Sequence, residues 1–113
     1  MKQAIFILAA VASLAAHAHA QSIFGEIRGT VTDPSGAVIV GASVTATNTA
    51  TGEARKVVTD NDGNYSVLNI DAGPYEVLIE RAGFQKTLAK NVALRVREVV
   101  RVDARLELAG AAT

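Results

Sequence analysis

The chain has no cysteine and no tryptophan. Its only histidines are His17 and His19, and its only methionine is Met1. All three fall in the first twenty residues, so the rest of the chain lacks His, Cys, Met and Trp altogether. Ser-His-Asp triads, Cys–His nucleophile pairs and His- or Cys-ligated zinc therefore have no parts to be built from. Without cysteine there is no disulfide framework, so packing alone must hold a small domain. No segment after Gln21 carries helical periodicity, and no run there is long and apolar enough to cross a bilayer as a helix.

What is present begins with an address. Met1-Lys2-Gln3 is a short basic start, Ala4 to Ala16 is an unbroken apolar or small-residue run, and Ala18-His19-Ala20 is a small-x-small cleavage site before Gln21. That is the layout of a signal peptide. A membrane helix is the competing reading, but a span needs about 20 apolar residues and this run is shorter. Export is expected, with Ala18 and Ala20 filling the peptidase pockets and Gln21 as the new N-terminus. Removing residues 1–20 leaves enough chain for one small domain and one core. The whole chain has 11 basic and 11 acidic residues, and losing Lys2 brings the net charge to −1. A nucleic-acid binder would be basic, so that partner class is set aside.

The remaining chain alternates short Val-, Thr- and Ile-rich runs with Gly, Asp, Asn and Pro, the pattern of an all-β sandwich or barrel. Strands are expected at Gly25–Asp33 with Ile27 and Val31 inward, Ala42–Asn48 with Val44 and Ala46 inward, and Arg55–Asp60. Asn64–Ile70 and Tyr75–Arg81 come next, the latter with Val77 and Ile79 on one face. Asp33-Pro34-Ser35-Gly36, Asn61-Asp62-Gly63 and Asp71-Ala72-Gly73-Pro74 are turns. Phe84–Ala89, with Lys86 and the nearby Lys90, is read as a protected edge. Val92, Leu94 and Val96 alternate. After a turn at Arg97-Glu98, so do Val100, Val102, Ala104, Leu106 and Leu108. That makes about seven strands. Residues 21–24 form a short leader, 25–108 the sandwich and 109–113 a tail or linker.

Gly29-Thr30-Val31-Thr32-Asp33-Pro34-Ser35-Gly36, then Val40-Gly41-Ala42-Ser43-Val44, resembles the opening hairpin of a known family. Thr59-Asp60, Asp62-Gly63-Asn64-Tyr65, Ala72-Gly73-Pro74-Tyr75, Ala82-Gly83-Phe84 and Arg101-Val102-Asp103-Ala104-Arg105-Leu106 succeed it in that family's order. The chain is similar to the carboxypeptidase regulatory-like domain over Gly25 to Leu108. The resemblance implies an antiparallel, seven-stranded Greek-key sandwich of the prealbumin (transthyretin) type. It also implies context rather than catalysis. Such domains accompany metallocarboxypeptidases, and they stand directly after the signal peptide of TonB-dependent outer-membrane receptors. The second setting fits this chain better, so a periplasmic or outer-membrane location is expected. The implied partner is a protein or a covalently attached receptor domain on the C-terminal side, and no cofactor is implied. Gly63, Tyr65, Gly73, Tyr75, Gly83 and Phe84 fall at motif positions expected to be structural.

Related sandwiches bind carbohydrate, so a glycan ligand is the alternative. Sugar platforms usually need exposed aromatics, and here Trp is missing while both tyrosines sit at structural positions. Other related sandwiches carry Lys–Asn isopeptide crosslinks, but the first strand offers Arg28 where a Lys is needed. Asp60, Asp62 and Asn64 have the 1, 3, 5 spacing of a calcium loop, with Asp71 at position 12. The pattern breaks at position 6, where Tyr65 replaces glycine, and a hairpin turn explains the same residues. Tyr75 after Asp71-Ala72-Gly73-Pro74 is read as a tyrosine corner, its hydroxyl bonding upstream backbone. The alternative is a ligand-stacking ring. Arg95, Arg97, Arg101 and Arg105 share one parity. On a continuous strand they would form a cationic stripe for an acidic partner or anionic lipid, eased by Asp103 and Glu107. A solvated face is the plainer reading. Glu76 and Glu80 flank Leu78, with nothing to suggest a pocket for acid–base work.

Overall fold

The structure, a computed structural model, describes residues 22–110. The expected signal peptide with its cleavage site at Ala18, Ala20 and Gln21, and the last three residues of the tail, lie outside the described residues. The rest is an all-β sandwich, as the strand–turn rhythm requires. Its strands are β1 Gly25–Thr32, β2 Ser43–Asn48, β3 Ala54–Val58, β4 Asn64–Ile70, β5 Gly73–Glu80, β6 Thr87–Leu94, β7 Val99–Arg101 and β8 Ala104–Arg105. One sheet runs β4-β1-β7, with β8 also on β1. The other runs β3-β2-β5-β6.

Alternation builds the core. Ile27 and Val31 from β1, Val44 and Ala46 from β2, Val77 and Ile79 from β5, and Leu106 beyond β8 are buried between the sheets. Their neighbours along each strand face outward, which is the period of two that a half-buried strand shows. Turns close as their composition dictates. Gly63 sits at φ +75°, and a Cβ there would lie 2.9 Å from the Val31 carbonyl oxygen and 2.7 Å from Val38 Cβ. Only glycine meets both demands at that hairpin.

The structure corrects several expectations. Phe84–Ala89 is not an edge strand of its own. Phe84 bridges Leu108, and Gln85 N–H donates to the Glu107 carbonyl at 2.7 Å. The edge strand is β6, and it runs unbroken through Val92 and Leu94. In sequence it divides into two segments because Asn91 adopts φ +58° and the register against β5 shifts between Tyr75 and Val77. One extra residue reverses which side chains face inward, as in a β-bulge. β4 does the same at Asn69, φ +54°, where the pairing with β1 shifts between Gly25 and Ile27. Asparagine tolerates this left-handed backbone better than most residues. Val96 and Leu108, expected to alternate inward, are each 54% exposed. Val96 lies in the Arg95–Glu98 turn, closed by Glu98 N–H to the Arg95 carbonyl at 3.1 Å.

The largest departure concerns the last strand. It is not one antiparallel strand but two short pieces, β7 and β8, and both run parallel to β1. β1 therefore starts at one pole of the sandwich, and the last strand leaves at the opposite pole. The first pole carries the Ser22–Phe24 lead-in, the Asp71-Ala72 turn and the Arg95–Glu98 turn. The second carries the Pro34–Gly36 turn, the Asp60–Gly63 turn and Arg81–Phe84.

Candidate interaction surfaces

The break in the last strand is made by four residues. Gly29 on β1 pairs with Tyr65 on β4. Gly29 has no side chain, so the Tyr65 ring lies across it and the Val102 carbonyl turns in from the other side. A Cβ at Gly29 would collide with that carbonyl oxygen. The Tyr65 hydroxyl donates to the Val102 carbonyl in a very short contact. With that carbonyl turned inward, the Asp103 side chain takes the place a backbone acceptor would fill: its Oδ1 accepts the Thr30 N–H at 2.8 Å. Burial, reinforced by the nearby Asp103 carboxylate, pushes the Tyr65 phenol up to about 12. The sequence motif places Tyr65 at a structural position but marks no special role for Gly29, Val102 or Asp103. A glycine in mid-strand is a signal of close backbone approach, but nothing local distinguishes Asp103.

Tyr75 makes the contact of a tyrosine corner. Its hydroxyl donates to the Asp71 carbonyl at 2.6 Å, and its ring is buried. Burial again raises its pKa. Beside it, the buried Asn48 accepts the Ala50 and Thr51 N–H groups at 2.9 and 3.2 Å. A Cβ at Gly73 would come within 2.9 Å of Asn48 Nδ2, so the corner and the β2 turn pack as one unit. Gly83 closes the Arg81–Phe84 turn, and Phe84 is half-buried against the core.

The arginines are not carried on one continuous strand. The premise of a continuous strand fails at Arg97, which sits in a turn at φ +60°, and again at the break after Arg101. Each of three arginines instead reaches the first strand or its flanks. Arg97 Nε donates to the Ser22 carbonyl at 3.1 Å. Arg101 Nη2 donates to Thr30 Oγ1 at 2.9 Å, and its Nε pairs with Asp103 at 3.1 Å. Arg105 Nη2 donates to the Pro34 carbonyl at 2.7 Å. Arg95 lies in the turn, where its own N–H donates to Glu98 Oε1 at 3.2 Å. Arg28 is engaged by Glu26 on the same strand, with Nη2 within 2.8 and 2.9 Å of the two carboxylate oxygens.

The acidic turn has no open ligand cage. Asp60 Oδ1 accepts the Asp62 and Asn64 N–H groups at 2.9 and 3.0 Å, an Asx-type turn that caps the hairpin. Asn64 Oδ1 accepts the Thr30 hydroxyl at 2.6 Å. No group of three or more His, Cys, Asp or Glu side chains stands ready for a metal among the described residues. Asp33 uses its carboxylate in the same way, accepting the Ser35 hydroxyl and the Ser35 and Ala37 N–H groups, and the first of these leads in holding its pKa down. Glu76 and Glu80 lie half-buried on the outer face of the second sheet, Glu80 3.7 Å from Lys86 Nζ.

Cavities are small. A cleft at the first pole, between Phe24, Glu53, Arg55, Asn69, Asp71 and Tyr75, holds ≈ 130 Å³. Ligand pockets for drug-sized molecules run from about 300 Å³ upward, so this cleft suits water or a single side chain. Tyr65 and Tyr75 are buried, so among the described aromatics only Phe24 offers a largely open ring, at 43% exposure.

The profile of the carboxypeptidase regulatory-like domain matches residues 26–107. The chain belongs to that family. The carboxypeptidase regulatory-like domain is a regulatory, non-catalytic β-sandwich, and the geometry above is a version of it. Solved structures share the architecture. The TIE protein of Bacillus anthracis superposes with a TM-score of 0.64 at 19% identity, covering 75% of this chain and 16% of that one. A candidate carbohydrate-binding protein from Bacteroides uniformis gives 0.60 at 17% identity, covering 76% and 42%. The hydroxyquinol 1,2-dioxygenase of Pseudomonas putida gives 0.62 at 11% identity, covering 80% and 58%. The chain thus spans less than two thirds of each of these proteins, and at such identities the likeness is one of fold. No curated protein matches the chain in sequence.

Proposed function

We propose that this carboxypeptidase regulatory-like domain is an exported accessory module that works by contact with other protein, in association with a TonB-dependent transport system of the outer membrane. The observation that carries the reading is the course of the chain through the sandwich. β1 enters at one pole, and the parallel last strand leaves at the other. A domain built this way begins at one pole and passes the chain on toward its C-terminal side from the other. The signal-peptide layout before Gln21 supports an envelope location. The lack of His and Cys after residue 20 favours work by surface and shape.

Carbohydrate binding is the second reading, favoured by the likeness to the Bacteroides uniformis protein. The buried tyrosines weigh against it, since they leave little exposed aromatic surface for a sugar to stack on. Two measurements separate the readings. The tagged full chain, expressed in a Gram-negative host and fractionated, is expected in the envelope with Gln21 as its first residue by intact mass, and to co-purify a TonB-dependent receptor. A Met1 start or a cytoplasmic location would overturn export, and an envelope chain that captures no receptor would overturn the association. Tight, saturable binding on a glycan array would put the carbohydrate reading first.

A further inference from the structure

Three arginines, one in the turn before β7 and two on the last strand, share a pattern that neither fold nor charge alone accounts for. They stand four residues apart, at 97, 101 and 105. Each reaches to a different point along the first strand: Ser22 just before β1, Thr30 within it, and Pro34 just after it. Between these side-chain ties run the main-chain bonds. Glu26 N–H donates to the Glu98 carbonyl at 3.0 Å, Val102 N–H to that of Arg28 at 2.8 Å and Leu106 N–H to that of Thr32 at 2.8 Å. Asp103 adds its carboxylate to the Thr30 N–H, and Tyr65 ties down the Val102 carbonyl from the opposite side.

We propose that these contacts form a shear clamp, which makes the first and last strands resist sliding along one another under tension. The two strands are adjacent and parallel, with Glu26 beside Val99 and Thr32 beside Arg105. Tension applied where β1 enters and where the last strand leaves therefore slides one strand along the other. In that geometry the main-chain bonds, the arginine ties and the Asp103 contact share the load and must fail together. Pulled apart from one end, the same bonds open one after another. Each arginine tie is weak at equilibrium, because the side chains are largely exposed. Their value lies in raising the barrier to sliding, and forced unfolding is governed by that barrier rather than by equilibrium stability. Beyond β8 the chain is held a second time, by Gln85 N–H to the Glu107 carbonyl at 2.7 Å and Ala109 N–H to that of Gly83 at 2.9 Å. The clamp is a property of the fold and does not rest on the accessory-module reading.

Single-molecule force spectroscopy tests this directly. The chain has no cysteine, so handles attach only where cysteine is introduced. Ser22→Cys with Ala109→Cys loads the strands in shear, while Ala37→Cys with Ala109→Cys peels them from one pole. The shear pair is expected to rupture at severalfold higher force than the peel pair. Replacing Arg97, Arg101 and Arg105 together with Ala is expected to lower the shear force far more than the peel force. Equal forces in the two geometries, or a shear force untouched by the triple replacement, would overturn the clamp. If the triple variant fails to fold by circular dichroism, the two geometries in the otherwise unaltered chain still decide. Failure of the clamp leaves the accessory-module reading standing, since that reading is tested by fractionation and co-purification.

Discussion

Two tyrosine hydroxyls hold the two ends of this sandwich, and each satisfies a backbone carbonyl that turns away from regular pairing. Tyr75 secures the corner before β5, and Tyr65 secures the break in the last strand. Removing either hydroxyl leaves a carbonyl without its partner, which costs about 1–3 kcal/mol when the site is buried. Tyr65→Phe and Tyr75→Phe are each expected to lower the denaturant midpoint by that order, and coincident midpoints would refute the assignment. The alkaline limb gives a second reading of Tyr65. Its pKa in the folded state is raised from 10.0 to about 12, so the folded protein holds the phenolic proton more tightly than the unfolded chain. Stability from this group is whole below pH 10 and is lost as pH rises toward 12. Tyr65→Phe should therefore show a shallower fall in stability across that window than the parent protein. Of the two, the Tyr75 corner is legible in sequence, because its turn and its acceptor are neighbours in the chain. The Tyr65 acceptor lies thirty-seven residues away, and no local pattern announces it.

At the scale of strands, alternation is a reliable guide wherever a strand stays in register. β1, β2 and β5 present the inward residues that period two implies. It misleads where one extra residue enters. Asn69 and Asn91 each reverse the parity of an edge strand, which is why β6 reads as two segments in sequence. Such bulges also blunt an exposed edge against casual pairing. The last strand defeats parity for a different reason. Its side chains keep their order, but the turn at Arg97 and the inward Val102 carbonyl divide it, and its parallel partner lies far away in sequence. The Asp60–Asn64 segment admits two readings in sequence, and its geometry favours the turn. The Asp60 carboxylate already accepts two backbone N–H groups. The thermal midpoint is expected to be the same in excess EDTA and in millimolar calcium. A rise of several degrees with calcium would contradict this, because a ligand that binds only the native state must stabilise it.

For the whole molecule, the all-β class and the family are legible in turn chemistry and spacing alone, because glycines, prolines and aspartates punctuate the chain at strand ends. The direction of the last strand is not, and that direction decides how the domain connects to its surroundings. An antiparallel last strand would return the chain toward the pole where β1 begins. A parallel one carries it across. The arginines change meaning with it: a row read as a solvated face, or alternatively as a stripe for a partner, supplies ties between the first strand and the last. Native-state hydrogen exchange measures that locking most directly, through the amides of Thr30, Val102 and Leu106. Their acceptors are the Asp103 carboxylate and the Arg28 and Thr32 carbonyls. If the terminal strands are locked together, these amides exchange only on global unfolding, as slowly as core amides such as Val44 and Val77. Exchange on the timescale of a frayed edge, while the core stays protected, would contradict it.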